Sequence, residues 1–159
     1  MIKTVVIYYS KTGTTKKMAE AVVEGAQEAG AEVEMISVEE ATPDDLNKAD
    51  AAIFGSPTYY GHSAGPIRKF FDNTVSCHGK LEGKVGAAFA SSHNAGGGNE
   101  TTILDMLHSL LVHGFIIQGD NDGDHYGPVA VGVADRKALS QCTRLGQRTV
   151  ELASKLKEG

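Results

Sequence analysis

The stretch Ser10-Lys11-Thr12-Gly13-Thr14-Thr15 places four hydroxyls and one glycine between an apolar run and a helical pattern. Hydroxyls donate to phosphate oxygens, glycine lets the backbone approach closely, and a helix start offers unpaired N–H groups with partial positive charge. That chemistry suits one compact phosphomonoester. A pyrophosphate fingerprint needs Gly-x-Gly-x-x-Gly and a Walker loop needs Gly-x-x-x-x-Gly-Lys-Ser/Thr, whereas this loop has Gly13 alone. The competing account is that Thr12 or Thr14 merely caps the helix, which explains one hydroxyl and not four.

Two more stretches carry unusual residues. In Ser56 to Gly65, SPTYYGHSAG, Pro57 forces an extended path, and Tyr59 and Tyr60 precede Gly61. One of these aromatics can stack on a planar ring, with the Gly61 backbone free to reach the ring's edge; otherwise the tyrosines cover a helix. In Ser91 to Glu100, SSHNAGGGNE, three glycines run from Gly96 to Gly98, so main chain lies flat against a ligand or forms a flexible turn. His93 in that stretch is the candidate proton donor to a reduced ring, or a surface histidine beside a turn. A phosphate site, an aromatic platform and a glycine-rich wall together describe a ligand with a phosphorylated tail and a flat aromatic head. Flavin mononucleotide (FMN) has that shape.

The elements that must position these loops are runs of β-branched and aromatic residues alternating with helical patterns. Strands are expected at Val5–Tyr9, Glu32–Val38, Ala51–Ser56, Val85–Ser92 and Gly114–Gly119, with Val129–Ala134 as a completing or edge piece. Helices are expected around Met18-Val22-Ala26, Ile67-Phe70-Phe71 and Ile103-Leu107-Leu111, with a last one from about Arg136 to Lys157 facing inward through Cys142, Leu145 and Leu152. Such alternation gives a three-layer α/β/α sandwich, in which ligands sit outside the carboxyl ends of the strands. The three loops therefore meet at one sheet end.

With 159 residues, 41% hydrophobic and 22% charged, the chain is expected to form one domain over residues 1–159. No apolar run approaches the ~18 residues of a membrane span, and no leader pattern opens the chain, so a soluble, cytoplasmic protein without membrane insertion is expected. Cys77 and Cys142 stand apart as small apolar side chains. The net charge of -5 argues against nucleic acid and suits docking to basic partners. Asp120, Asp122 and Asp124 alternate as in a calcium loop, but that motif wants Gly at His125 and Glu at Val131, so no metal is expected. His62, His78 and His108 are assigned no role.

The three loops, in this order, resemble those of the flavodoxin-like flavoproteins over essentially the whole chain. Ser10, Thr12, Gly13 and Thr15 match the Thr/Ser-x-Thr-Gly-x-Thr phosphate loop of flavodoxins. The nearest likeness is to the tryptophan-repressor-binding-protein type of NAD(P)H:quinone oxidoreductase. Its Pro-Thr-Arg-Phe-Gly loop appears as Pro57-Thr58-Tyr59-Tyr60-Gly61, and its Gly-Gly-Gly-Gln-Glu segment as Gly96-Gly97-Gly98-Asn99-Glu100. The resemblance implies a five-stranded parallel sheet of order 2-1-3-4-5 and FMN as cofactor. It further implies that Thr58, Tyr59 and Tyr60 line the flavin, with Tyr60 stacking, and that Ser92, His93, Asn94, Ala95, Gly96 and Gly97 contact the isoalloxazine and ribityl parts. The Gly61 peptide would face the redox-active central-ring nitrogen, and Tyr126 would lie near the flavin mouth, or else in a solvated loop.

Two departures accompany the likeness. Where those reductases carry His-His-Gly, this chain reads Val112-His113-Gly114, and their extra segments before the third strand and around the third helix are absent or shortened. True flavodoxins place an aromatic in the loop that here reads SSHNAGGG. Two uses of the flavin are thus expected: electron transfer with a redox partner protein, favoured slightly, or reduction of a quinone by NAD(P)H. Homo-oligomer formation stays open.

Overall fold

The computed structural model describes residues 1–159. Five parallel positions make the sheet, in the order β2 (Glu32–Ser37), β1 (Lys3–Tyr8), β3 (Ala51–Tyr59), β5 (Val85–Ser92) and β6 (Ile116–Ile117). Counted by parallel strands, this is the expected 2-1-3-4-5 order. Side chains alternate across it: Val5, Ile7, Ala52, Phe54, Ala88 and Ala90 join one core, whereas Val6, Ile53, Ala87 and Phe89 join the other. Both faces are buried, which is why these strands read as unbroken apolar runs.

Helices α2 (Pro43–Lys48), α3 (Gly65–Asn73) and α4 (Asn99–Val112) cover the first face, and α1 (Thr14–Glu28) and α5 (Arg136–Glu158) the second. The buried stripe of α1 is the expected one, with Met18, Val22 and Ala26 inaccessible. In α4 the third expected position, Leu111, is 55% exposed and Leu110 is buried instead. A spacing of four residues overshoots a full turn by about 40° each time, so the stripe shifts back by one residue. In α5 the buried stripe consists of smaller residues than expected: Ala138, Cys142, Gly146, Val150 and Ala153, with Leu145 and Leu152 at its margins. The reason lies in α1. A Cβ on Gly146 would sit 2.1 Å from the Val22 carbonyl oxygen, and one on Gly25 would sit 1.9 Å from that of Thr143. The two helices cross backbone to backbone, and only hydrogen fits between them.

Four boundaries differ from the sequence expectation. β3 runs on through Pro57 to Tyr59, because the Pro57 position faces Ser91 in the ladder and then turns back as β4 (His62–Ser63). The fifth position is split: Ile116–Ile117 pairs with the start of β5 and β7 (Val129–Val131) with its end, so residues 118–128 loop out between them. A short 3-10 turn, Thr74–Cys77, prolongs α3. Helix α2 was not expected at all, since six residues show no period, yet Thr42 and Asp45 form a capping box with Pro43 at the first turn. Its far end is held by Lys84, whose ammonium donates to the carbonyls of Leu46, Asn47 and Ala49 at 2.8, 2.8 and 2.5 Å. No helix is long and apolar enough to cross a membrane.

Candidate functional site

The loops after β1, β3 and β5 converge on an open cleft at the carboxyl end of the sheet. The first loop contributes Lys11, Thr12, Thr14 and Thr15, the second Pro57, Thr58 and Tyr59, and the third Ser91, Ser92 and His93. A separate depression beside the β1–β2 edge is lined by Lys3, Lys48, Glu32, Glu34 and Asp45, whose charges oppose each other, and another, next to the first loop, by Thr12, Thr14, Lys16, Lys17 and Glu20. The cleft at the loops carries no carboxylate and one lysine. Its electrostatics favour an anion.

Local geometry at the first loop speaks against capping by Thr12 or Thr14. The residue preceding α1 is Gly13, left-handed at φ 103°, and no side chain caps the helix. The N–H groups of the first turn are therefore left to whatever occupies the cleft. Ser10 Oγ accepts the Gly13 N–H at 3.1 Å and so shapes the loop. Thr15 and Ser91 share a buried hydroxyl–hydroxyl bond of 3.0 Å. That bond uses one proton of two, so one hydroxyl can still donate. Thr12 and Thr14 line the cleft and cap nothing.

The second loop is a hairpin. Thr58 pairs with Ser63 and Tyr59 with His62, leaving Tyr60 and Gly61 as a two-residue turn with φ of 51° and 79°. Two successive positive values define the primed turn that suits a tight hairpin, and Tyr60 is the only residue besides glycine to adopt one. Tyr59 lines the cleft, whereas Tyr60 stands fully exposed at the tip and does not. Ser56 Oγ fastens the base by accepting the Ala64 N–H at 2.8 Å. Helix α4 fastens the rest: Thr102 donates to Thr58 Oγ1 at 3.0 Å, Thr101 to the Gly61 carbonyl at 2.6 Å, and Asp105 accepts the Ser63 N–H at 3.0 Å and the Ser63 hydroxyl. Arg68 lies 3.4 Å from the same carboxylate.

In the third loop Ser92 Oγ donates to the Asn94 carbonyl at 2.9 Å and the Gly97 N–H to the same oxygen at 3.0 Å. This tight turn brings His93 to the cleft and leaves Asn94, Ala95, Gly96 and Gly97 exposed outside it. Gly98, left-handed at φ 106°, opens α4 with no side-chain cap, so two uncapped helices begin around the site. Gly132 was missed: its N–H donates to the Ser92 carbonyl at 2.7 Å and its backbone closes the cleft. A glycine ending the Val129–Val131 run, at the same sheet end as the other loops, was its signal. Thr101, Thr102 and Asp105 were also missed, since helical residues that act through a neighbour have no motif.

Residues set apart in the sequence are placed elsewhere. Tyr126 lies with His125, Gln118 and Arg148 in a depression under the 118–128 loop. Asp120 in that loop is held by Arg144 at 2.7 and 3.1 Å and Arg148 at 3.2 Å; these hydrogen bonds and charges keep its carboxyl far below the usual range. His113, 8% exposed, packs at the opposite end of α4 against Thr74, and Val112 is exposed there. Both cysteines are buried and unpaired, and burial, with Asp124 nearby, pushes the Cys142 thiol up to about 12.

The donor set suits FMN: Thr12, Thr14 and the open end of α1 offer hydrogen-bond donors to a phosphate, and Tyr59 and His93 line the same cleft. A doubly wound sheet whose first loop leaves the start of α1 uncapped, with an aromatic hairpin at the same sheet end, defines a flavodoxin-like architecture. Residues 5–116 match the family described as the flavodoxin domain. A protein named NAD(P)H dehydrogenase (quinone) from Archaeoglobus fulgidus is 37% identical, over 98% of this chain and all of its own. A protein named flavodoxin from Aquifex aeolicus is 41% identical over 95% of this chain and 86% of its own. The crystal structure of a flavodoxin, WrbA-like protein from Agrobacterium tumefaciens superposes with a TM-score of 0.81, at 29% identity, over 98% of this chain and 99% of that one. The chain belongs to the flavodoxin-domain family.

Proposed function

We propose that residues 1–159 act as one cytoplasmic domain that binds FMN noncovalently and transfers electrons to a redox partner. When bound, FMN supplies the electron-accepting and electron-donating chemistry. The observation that carries this reading is the uncapped start of α1, with Thr12 and Thr14 free to donate in a cleft without carboxylates. These hydroxyls and the first-turn N–H groups bind the phosphate, and Lys11 adds positive charge. Tyr59 covers one side of the ring and excludes water there. His93 stands at the mouth of the cleft, where its imidazole can hold or release a proton.

A second reading, an FMN-dependent NAD(P)H:quinone oxidoreductase, is favoured by the third loop. It brings His93 and main chain to the cleft and no aromatic, which leaves room for a substrate ring. Shortened segments favour the carrier: aligning the Archaeoglobus dehydrogenase takes 190 positions for 98% of this chain, so more is inserted there than in the Aquifex flavodoxin, which takes 160 for 95% of it. Reconstitution with FMN followed by NADH or NADPH without oxygen separates them. The carrier keeps its yellow absorbance until a chemical reductant is added. Rapid bleaching by NAD(P)H, reversed by a quinone, would establish the reductase.

A further inference from the structure

Thr101 has one hydroxyl proton and two carbonyls within reach, Gly61 at 2.6 Å and Gly98 at 3.0 Å. The first oxygen belongs to the hairpin tip and the second to the residue that opens α4. One side chain thus ties the tip of the hairpin that carries Tyr59 to the helix beneath it. The same spot brings two glycines together: a Cβ on Gly98 would lie 2.7 Å from Gly61 Cα and 3.2 Å from Thr101 Oγ1. No side chain fits between hairpin and helix. Thr102 and Asp105 hold the two strands of the hairpin, but neither bonds to Tyr60 or Gly61. A two-residue turn with both φ values positive has little else to fix its last peptide.

We propose that Thr101 is a positioning residue for the hairpin wall: by holding the Gly61 carbonyl on α4 it fixes the turn that sets Thr58 and Tyr59 in the cleft, and with it the fit and the reduction potential of a ring bound there. The proposal rests on the FMN reading above. Side chains and dipoles beside a flavin tune its electronics, so a hairpin free to shift presents Tyr59 differently from one that is pinned. Phosphate is bound at another wall, by the first loop. Loss of the Thr101 bond should therefore be felt by the ring and not by the phosphate.

Thr101→Val keeps the volume and removes the hydroxyl, and Thr101→Ser restores it. Fluorescence titration should show FMN and riboflavin weakened by the same factor, roughly two- to tenfold, the worth of one neutral hydrogen bond. The midpoint potential of bound FMN should shift in Thr101→Val and return in Thr101→Ser. In the ligand-free chain, the amides of residues 60–62 should exchange faster with solvent in Thr101→Val. Wild-type affinities and potential in Thr101→Val, or a Thr101→Ser variant that behaves like it, would overturn the proposal. A wild-type chain that binds no FMN would sink the functional reading instead, and unchanged amide exchange in the ligand-free chain would then still reject the role of Thr101.

Discussion

Replacing both Thr12 and Thr14 with Ala tests the phosphate wall. Thr12 is exposed and Thr14 half-buried, and neither caps α1, so their removal leaves the fold its hydrogen bonds. The urea midpoint should stay at wild type, with a stability change within about 0.5 kcal/mol. Binding should not. A hydrogen bond to a charged group contributes about 1.5–3 kcal/mol, and partial exposure puts these two near the lower end. Together they amount to roughly 2–4 kcal/mol, or a 30- to 1,000-fold loss of FMN affinity. The first-turn N–H groups and Lys11 remain, so some preference for the phosphorylated ligand survives. Riboflavin shares the ring and lacks the phosphate, so its affinity should change less than about twofold in the same titration, well inside the scatter expected for a surface substitution. Equal losses for FMN and riboflavin, or none for either, would refute the assignment of the first loop to phosphate.

Two further outcomes follow from the packing. Gly146→Ala drives a methyl group to 2.1 Å from the Val22 carbonyl, so α1 and α5 must part; urea unfolding should show a loss of about 1–3 kcal/mol, and wild-type stability would contradict the backbone-to-backbone crossing. The Thr74 hydroxyl gives its proton to the Phe71 carbonyl, so His113 Nε2 must donate to Thr74, and its buried Nδ1 is left without a partner. Burial, with His78 5.8 Å away between ring centroids, holds the His113 pKa below its ordinary value. The unfolded chain then takes up the proton first, so stability is retained above about pH 6.5 and falls as pH drops below it, by at most about 1.4 kcal/mol per unit. His113→Gln should flatten that part of the urea-midpoint curve between pH 7 and 5; an identical slope would show that His113 does not titrate differently on folding.

The layered fold was legible because both sheet faces are buried, and burial writes itself into sequence as apolar runs such as Val5 to Tyr8. The cleft was legible where chemistry needs particular atoms: the hydroxyls of Thr12 and Thr14, and Tyr59 behind Pro57. What stayed hidden depends on geometry between elements. Tyr59 and Tyr60 look equivalent as neighbours, and only the hairpin register turns one into the cleft and the other to solvent. Gly132 reaches the site because β7 continues the edge that β6 abandons. Val112-His113-Gly114 departs from the reductases' His-His-Gly, and a helix of fourteen residues carries His113 to the far end of the sheet. Pairings of this kind have no period and no motif.

The two walls of the cleft are unequal, and that inequality bears on function. On the hairpin side, Tyr59 rests on a turn that α4 grips at three residues, so the wall is stiff. On the other side, His93 and the exposed Asn94 to Gly97 form a low rim with no aromatic cover. A ring bound between them is shielded on one face and approachable from the other. Charge is unequal too: the chain carries -5 overall, yet Lys11, Lys16 and Lys17 stand exposed at the first loop with no carboxylate within salt-bridge distance. A basic partner protein would avoid that corner, whereas an anionic one, or the phosphates of a dinucleotide reductant, would be drawn to it. The direction of the salt effect on reduction therefore reports which kind of donor uses the open face. Rates with an anionic donor should fall as ionic strength rises, and a rise would place the docking surface elsewhere on the acidic remainder of the molecule.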